Sequence, residues 1–114
     1  DNNIDNNEKK IIRSIIIDFF QIDTTNVSKI IEISLNTLKK STDIYEFGTV
    51  LNESFGYQDK VDFICCAFEV AYADKNLHYL EAHFIKKISF ILNVDHKDLI
   101  DSKAEMKKYL NIKN

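Results

Sequence analysis

The stretch "YLEAHFIKKISFILNV", residues 79–94, decides the fold, because its apolar side chains recur in steps of three and four. Leu80, Phe84, Ile85, Ile88, Ile91 and Leu92 fall on one stripe, while Glu81, Lys86 and Lys87 point elsewhere. At 3.6 residues per turn that spacing is an amphipathic α-helix. The isoleucines would suit strands, but strict alternation never persists, so the helical period wins.

The same period extends in both directions. "EKKIIRSIIIDFFQI" carries it through Ile11, Ile12, Ile15, Phe19 and Ile22, and "TTNVSKIIEISLNTLKK" through Val27, Ile30, Ile31, Leu35 and Leu38, after threonines able to cap. Asp43 can cap a helix that runs to about Asn52 and ends near Gly56, after which Gln58 or Asp59 begins the next. That next helix, "VDFICCAFEVAYA" (61–73), is apolar almost all the way round and is expected at the centre, covered on several faces. A last helix from about Asp95 to Leu110 presents Leu99, Ile100, Met106, Tyr109 and Leu110 against a polar side. About six helices with short links predict a compact all-α bundle.

The totals agree. A chain of 114 residues is one ordinary domain, and a chain of that size buries about two thirds of its unfolded surface without staples. A content of 45% hydrophobic and 29% charged residues supports a packed core and argues against wholesale disorder. The net charge of −3 excludes a broadly basic nucleic-acid surface, so no nucleic-acid partner is expected. The longest apolar run is far shorter than the roughly 20 residues that span a bilayer, and no charged-then-apolar leader opens the chain. Cys65 and Cys66 are adjacent within the most apolar segment, where a mutual disulfide would be strained. They read as buried thiols of a reducing, cytoplasmic compartment.

A weak internal repeat appears when "DNNIDNNEKKIIR" (1–13) is placed above "DKNLHYLEAHFIK" (74–86). Asp1 meets Asp74, Asn3 meets Asn76, Ile4 meets Leu77, Glu8 meets Glu81 and Ile12 meets Ile85. Two helix-joint-helix units, about 1–40 and 58–112, joined by a helix at 43–55, are therefore expected to pack about a pseudo-two-fold axis. The second copy is preceded by the helix 61–73 and the first by nothing, which suggests a further helix upstream of Asp1.

The joints hold the chemistry. In the first, Asp5 at an N-cap with Glu8 three residues later is a capping box, and Ile4 can act as its staple. In the second, His78 takes the capping place, although histidine is a poor N-cap. Asp74, Asn76 and His78 alternate along a short link and Glu81 follows in the first turn, so four donors can converge on a divalent cation. Acid and amide oxygens suit calcium or manganese, and the imidazole shifts preference toward zinc and other transition metals. Glu69, on the apolar helix 61–73 with Asp62 seven residues earlier, needs a cation or a donor, or else an upward-shifted pKa; alternatively it marks that helix's one wet stripe. His83 and His96 read as surface residues. No phosphate loop, nucleophile elbow or metalloprotease helix is present, so no enzyme is expected.

Together the pieces "EVAYAD" (69–74), "LHYLEAHFIKKISFIL" (77–92) and "HKDLI" (96–100) resemble the TerB-like family of tellurite-resistance-associated proteins. The resemblance runs from about Ser41 to Ser102, and the degenerate first copy extends it to the N-terminus. It implies a helical bundle with internal pseudo-symmetry, a bacterial cytoplasmic setting and a stress-related role. It also implies divalent-metal binding, or association as a scaffold with a membrane-bound complex, through acidic joint residues. Carried over, these are Asp74, His78 and Glu81 in the second copy and Asp1, Asp5 and Glu8 in the first. Lys75 stands where the family has glycine, and lysine enters a left-handed turn only at a cost; Asn2, at the equivalent place, tolerates it better. The other expectation is a metal-free module that meets a protein partner, or a second copy of itself, through a wide apolar stripe on the first helix formed by Ile16, Ile17 and Phe20.

Overall fold

The computed structural model describes residues 4–22, 27–41, 43–73 and 79–110, with only the backbone of residues 20–22, 27–31, 33, 73 and 79–82. Within these are six helices: α1 (Asn6–Ile22), α2 (Val27–Lys40), α3 (Ile44–Ser54), α4 (Tyr57–Ala73), α5 (Tyr79–Ile91) and α6 (His96–Tyr109). The all-α bundle expected from the periodicity is what forms.

Local chemistry sets the helix ends. The Glu8 N–H donates to Asp5 Oδ1 at 2.7 Å and the Asp5 N–H to Glu8 Oε1 at 3.0 Å, which is the capping box expected for α1. Asp43 accepts from the Tyr45 N–H at 2.7 Å and starts α3. The Gly56 N–H donates to Asp59 Oδ2 at 3.1 Å, so α4 begins slightly ahead of the expected Gln58 or Asp59. Helix α5 stops where Asn93 enters the left-handed region at φ 59°. There the Val94 N–H reaches the Ser89 carbonyl and the Asn93 N–H reaches Phe90, a Schellman closure.

Packing follows from the apolar faces. Helix α4 touches α1, α5 and α6, while α2 bridges α1 to α3 and α3 leans on α5, so five helices close a ring and α6 covers α4 and α5. The expected central helix is central. Phe63, Ile64, Cys66 and Ala67 are at most 1% exposed. Within the core, Phe19, Phe55 and Phe63 form a triangle with ring centroids 5.3–6.0 Å apart, joining α1 to the α3–α4 link and to α4. Tyr57 ties α4 to α6: its hydroxyl donates to the Asp98 carboxylate and accepts from the Asp95 N–H.

Two expectations need correction, and a third is not reached by the described residues. Ile16 is core, at 1% exposure, so α1's outward apolar stripe is narrower than the spacing implied, although Ile17 is exposed. Ile100 and Tyr109 were expected on the inner side of α6 but are 48% and 72% exposed, and Ser102 is buried instead. The turn of α6 that faces α4 places the small hydroxyl where the helices approach and leaves the two large side chains outside. The corners on which the pseudo-two-fold repeat depends, at 1–3, 23–26 and 74–78, lie outside the described residues.

Helix α3 approaches α5 closely at Gly48, where a Cβ would overlap Ile91 Cγ2, and Asn52 Nδ2 donates to the Ile91 carbonyl at 3.0 Å beside it. Gly48→Ala is therefore expected to destabilise the protein by about 1–3 kcal/mol in urea unfolding, although alanine is the better helix former. An unchanged or raised midpoint would show that the α3–α5 contact yields freely.

Candidate functional site

Among the sequence-derived candidates, the structure places three side chains. Asp5 and Glu8 are engaged in the α1 capping box, each accepting from the other's backbone N–H. Glu69 projects from α4 toward α1. Glu81 lies in the first turn of α5, with its side chain undescribed, and Asp1, Asp74, Asn76 and His78 lie outside the described residues. Among the described residues, no three of His, Cys, Asp and Glu are grouped so as to hold a metal ion.

The structure does bring together a pair that sequence reading missed. The Glu69 carboxyl forms a side-chain hydrogen bond with Asp18 of α1, and this bond, then burial, then the Asp18 charge, push its pKa from 4.5 up to about 7. Two carboxyl groups hydrogen-bond only if one holds the proton. Asp18 Oδ2 is buried without a partner, which raises the cost of placing a second charge there. Cys66, one turn before Glu69, also hydrogen-bonds to Asp18, and burial above all pushes its thiol far up. Burial likewise raises the Cys65 thiol, opposed by a hydrogen bond with Ser102 of α6; Glu105, Asp62 and Glu69 add to the rise.

A signal for this pair was available. Asp18 lies seven residues after Ile11 and three after Ile15, so a carboxylate stands on the edge of α1's apolar stripe. Asp62, Cys66 and Glu69 share one stripe of α4 in the same way. Each helix alone shows a misplaced acid, and only the α1–α4 contact pairs them. The wet-stripe reading of Glu69 is half right: the residue is partly exposed, but a second acid answers it.

His83 and His96 are exposed, as expected. They line a groove of about 420 Å³ with Lys86 and Lys103, over a floor of Phe68, Leu99 and Ile100. A second, larger cleft of about 630 Å³ separates α1 from α2.

The family model for tellurite resistance protein TerB matches residues 1–104, and the chain belongs to that family. The match takes in both joints and all of α1 to α5, and therefore the Asp18–Glu69 contact. No curated protein and no solved structure matches the chain at a significant level.

The titration of Glu69 gives a stability profile of defined sign. Its pKa is higher folded than unfolded, so the stabilisation is complete below about pH 4.5 and is lost as pH rises through about 7. Solvent screening of this partly exposed pair keeps the effect modest. Glu69→Gln should flatten the melting profile between about pH 5 and 8 and raise Tm at the alkaline end by roughly 3 °C. Identical profiles for the variant and the parent would dissolve the pair. The thiols make a second prediction: at about pH 8, an aromatic disulfide reagent should label Cys66 only at the rate of global unfolding, and fast labelling of the native protein would contradict its burial.

Proposed function

We propose that this TerB-family chain is a non-enzymatic binding domain that takes a divalent cation, whether calcium, manganese or zinc, at the α4–α5 joint. The observation that carries the reading is the shortness of that joint. Helix α4 stops at Ala73 and α5 begins at Tyr79, so Asp74, Asn76 and His78 share a five-residue link, with Glu81 in the turn that follows. Ala71 on one side and Phe84 on the other are buried in the same core. A link of that length reaches at most about 3.3–3.6 Å per residue when extended, which supports a joint compact enough for one cation. Two carboxylates, an amide and an imidazole make a donor set for a hard or borderline cation.

The non-enzymatic part rests on how the reactive groups are used. The thiols are held protonated by burial, which makes them poor nucleophiles. Asp5 and Glu8 serve a helix end, and Glu69, its pKa raised by a hydrogen bond to Asp18, is engaged with α1. Family membership supports a role associated with tellurite resistance and stress, in the cytoplasm, as a scaffold for a membrane-bound complex. No helix among the described residues is long and apolar enough to cross a membrane, which agrees with an attachment through partners. A second reading, a metal-free protein-interaction module, draws support from Phe90, 75% exposed on α5, and from Ile17 and Ile100.

Calorimetric titration separates the two. Calcium, manganese or zinc should give a saturable heat with the parent chain and none with Glu81→Ala. The cation should also raise Tm of the parent but not of Asp74→Ala, because a ligand that binds only the native state stabilises by mass action. No cation-specific heat would overturn the metal reading and leave the interaction module.

A further inference from the structure

The cleft between α1 and α2 has a composition unlike the rest of this acidic chain. Its walls carry Lys9, Lys10 and Arg13 from α1 and Lys39 from α2, with the amides of Asn6 and Asn36 between them. Arg13 is the only arginine of the 114 residues, and the other fourteen basic residues are lysines. Among the described residues no carboxylate lines the cleft, and none of the four cations is ion-paired with one of them. Glu32 shares the Lys39 face of α2, two turns earlier, but does not line the cleft. Glu8, next to Lys9, has an oxygen engaged by the Asp5 N–H.

Four like charges facing one another repel, and on a chain of net charge −3 nothing in composition alone would gather them. Each is held there by a side chain that packs. Ile12 and Ile16 of α1 are buried, which turns Lys9 and Arg13 toward the flank where α2 lies. Leu38 is buried and Leu35 half-buried, which sets Asn36 and Lys39 at the opposite rim. The charges are thus fixed on two helices over an apolar floor rather than carried on loops.

We propose that this cleft is a binding site for a small polyphosphate anion, its phosphates free or carried on a larger molecule. The cations and amide N–H groups are donors, so the ligand must offer mainly acceptor oxygens. Four cations within about 630 Å³ require several negative charges in one compact group. Consecutive phosphates supply that density, whereas peptide carboxylates come one to a side chain. Arginine grips two oxygens of a phosphate at once and lysines act as point charges on the remainder. The cleft volume lies within the range of small-molecule sites. The site is on the flank of α1 away from Asp18, five residues and about 140° round the helix from Arg13, so it is distinct from the carboxyl pair.

Inorganic tripolyphosphate, titrated calorimetrically into the full chain at low salt, is expected to bind at one site. The exposed variants Arg13→Gln and Lys39→Gln, whose melting temperatures should match the parent, are each expected to weaken it by roughly tenfold or more, and added salt should weaken binding to the parent. Citrate, an anion of comparable charge built on carboxylates, should bind more weakly than tripolyphosphate. No heat with tripolyphosphate, equal affinity in both variants, or citrate binding as tightly would overturn the assignment. Flotation with phosphatidylcholine vesicles, with and without a lipid bearing a bis-phosphorylated inositol headgroup, then distinguishes the sources. Retention of the parent but not of Arg13→Gln on the phosphorylated vesicles assigns the phosphates to a lipid, and tripolyphosphate binding without retention assigns them to a soluble ligand.

Discussion

An α-helix with apolar side chains on nearly all its faces cannot rest on a surface, and α4 imposes that constraint on everything around it. Its burial requires cover from several directions, and α1, α5 and α6 supply it directly. Helices α2 and α3 then close the circuit from α1 to α5. The aromatic triangle of Phe19, Phe55 and Phe63 ties α1 and the α3–α4 link to the N-terminal half of α4. The close contact at Gly48 follows from the same need, since α3 can lie against α5 only where one helix gives up its side chain.

The carboxyl pair is a consequence of that wrapping. Glu69 stands at the edge of a helix most of whose surface is buried, and Asp18 stands at the edge of the stripe that covers it. When α1 docks, the two are brought together, and the hydrogen bond to Asp18, burial and the Asp18 charge favour the protonated form of Glu69. The neighbouring thiol of Cys66 is kept neutral by the same surroundings. Acidic character therefore collects along the α1–α4–α6 seam, through Asp18, Asp62, Glu69 and Glu105, while basic character collects on the opposite flank of α1 against α2. A chain with a small net charge thus carries two faces of opposite sign, and helix α1 contributes to both.

The family tie gives this arrangement a context. A domain of the TerB family, matched over residues 1–104, is here a helical bundle in which the apolar α4 meets α1, α5 and α6, with Asp5 and Glu8 committed to a capping box. Asp5 and Glu8 satisfy backbone donors that the start of any helix leaves open.

What the sequence determined by itself was the set of helices, the centrality of α4, the capping box of α1, the cap at Asp43 and the buried state of Cys66. Each depends on interactions spanning four residues or fewer, or on how many faces of one helix are apolar, and both are written in local spacing. Spacing also marked Glu69 as a carboxylate in need of a partner. It could not name Asp18, fifty-one positions away, nor turn Ile100 and Tyr109 outward, nor gather Lys9, Arg13 and Lys39 around one cleft. Those outcomes depend on which face of each helix meets which neighbour and at what distance. Packing of the whole bundle selects these contacts, because an apolar stripe specifies that it must be covered without specifying by what.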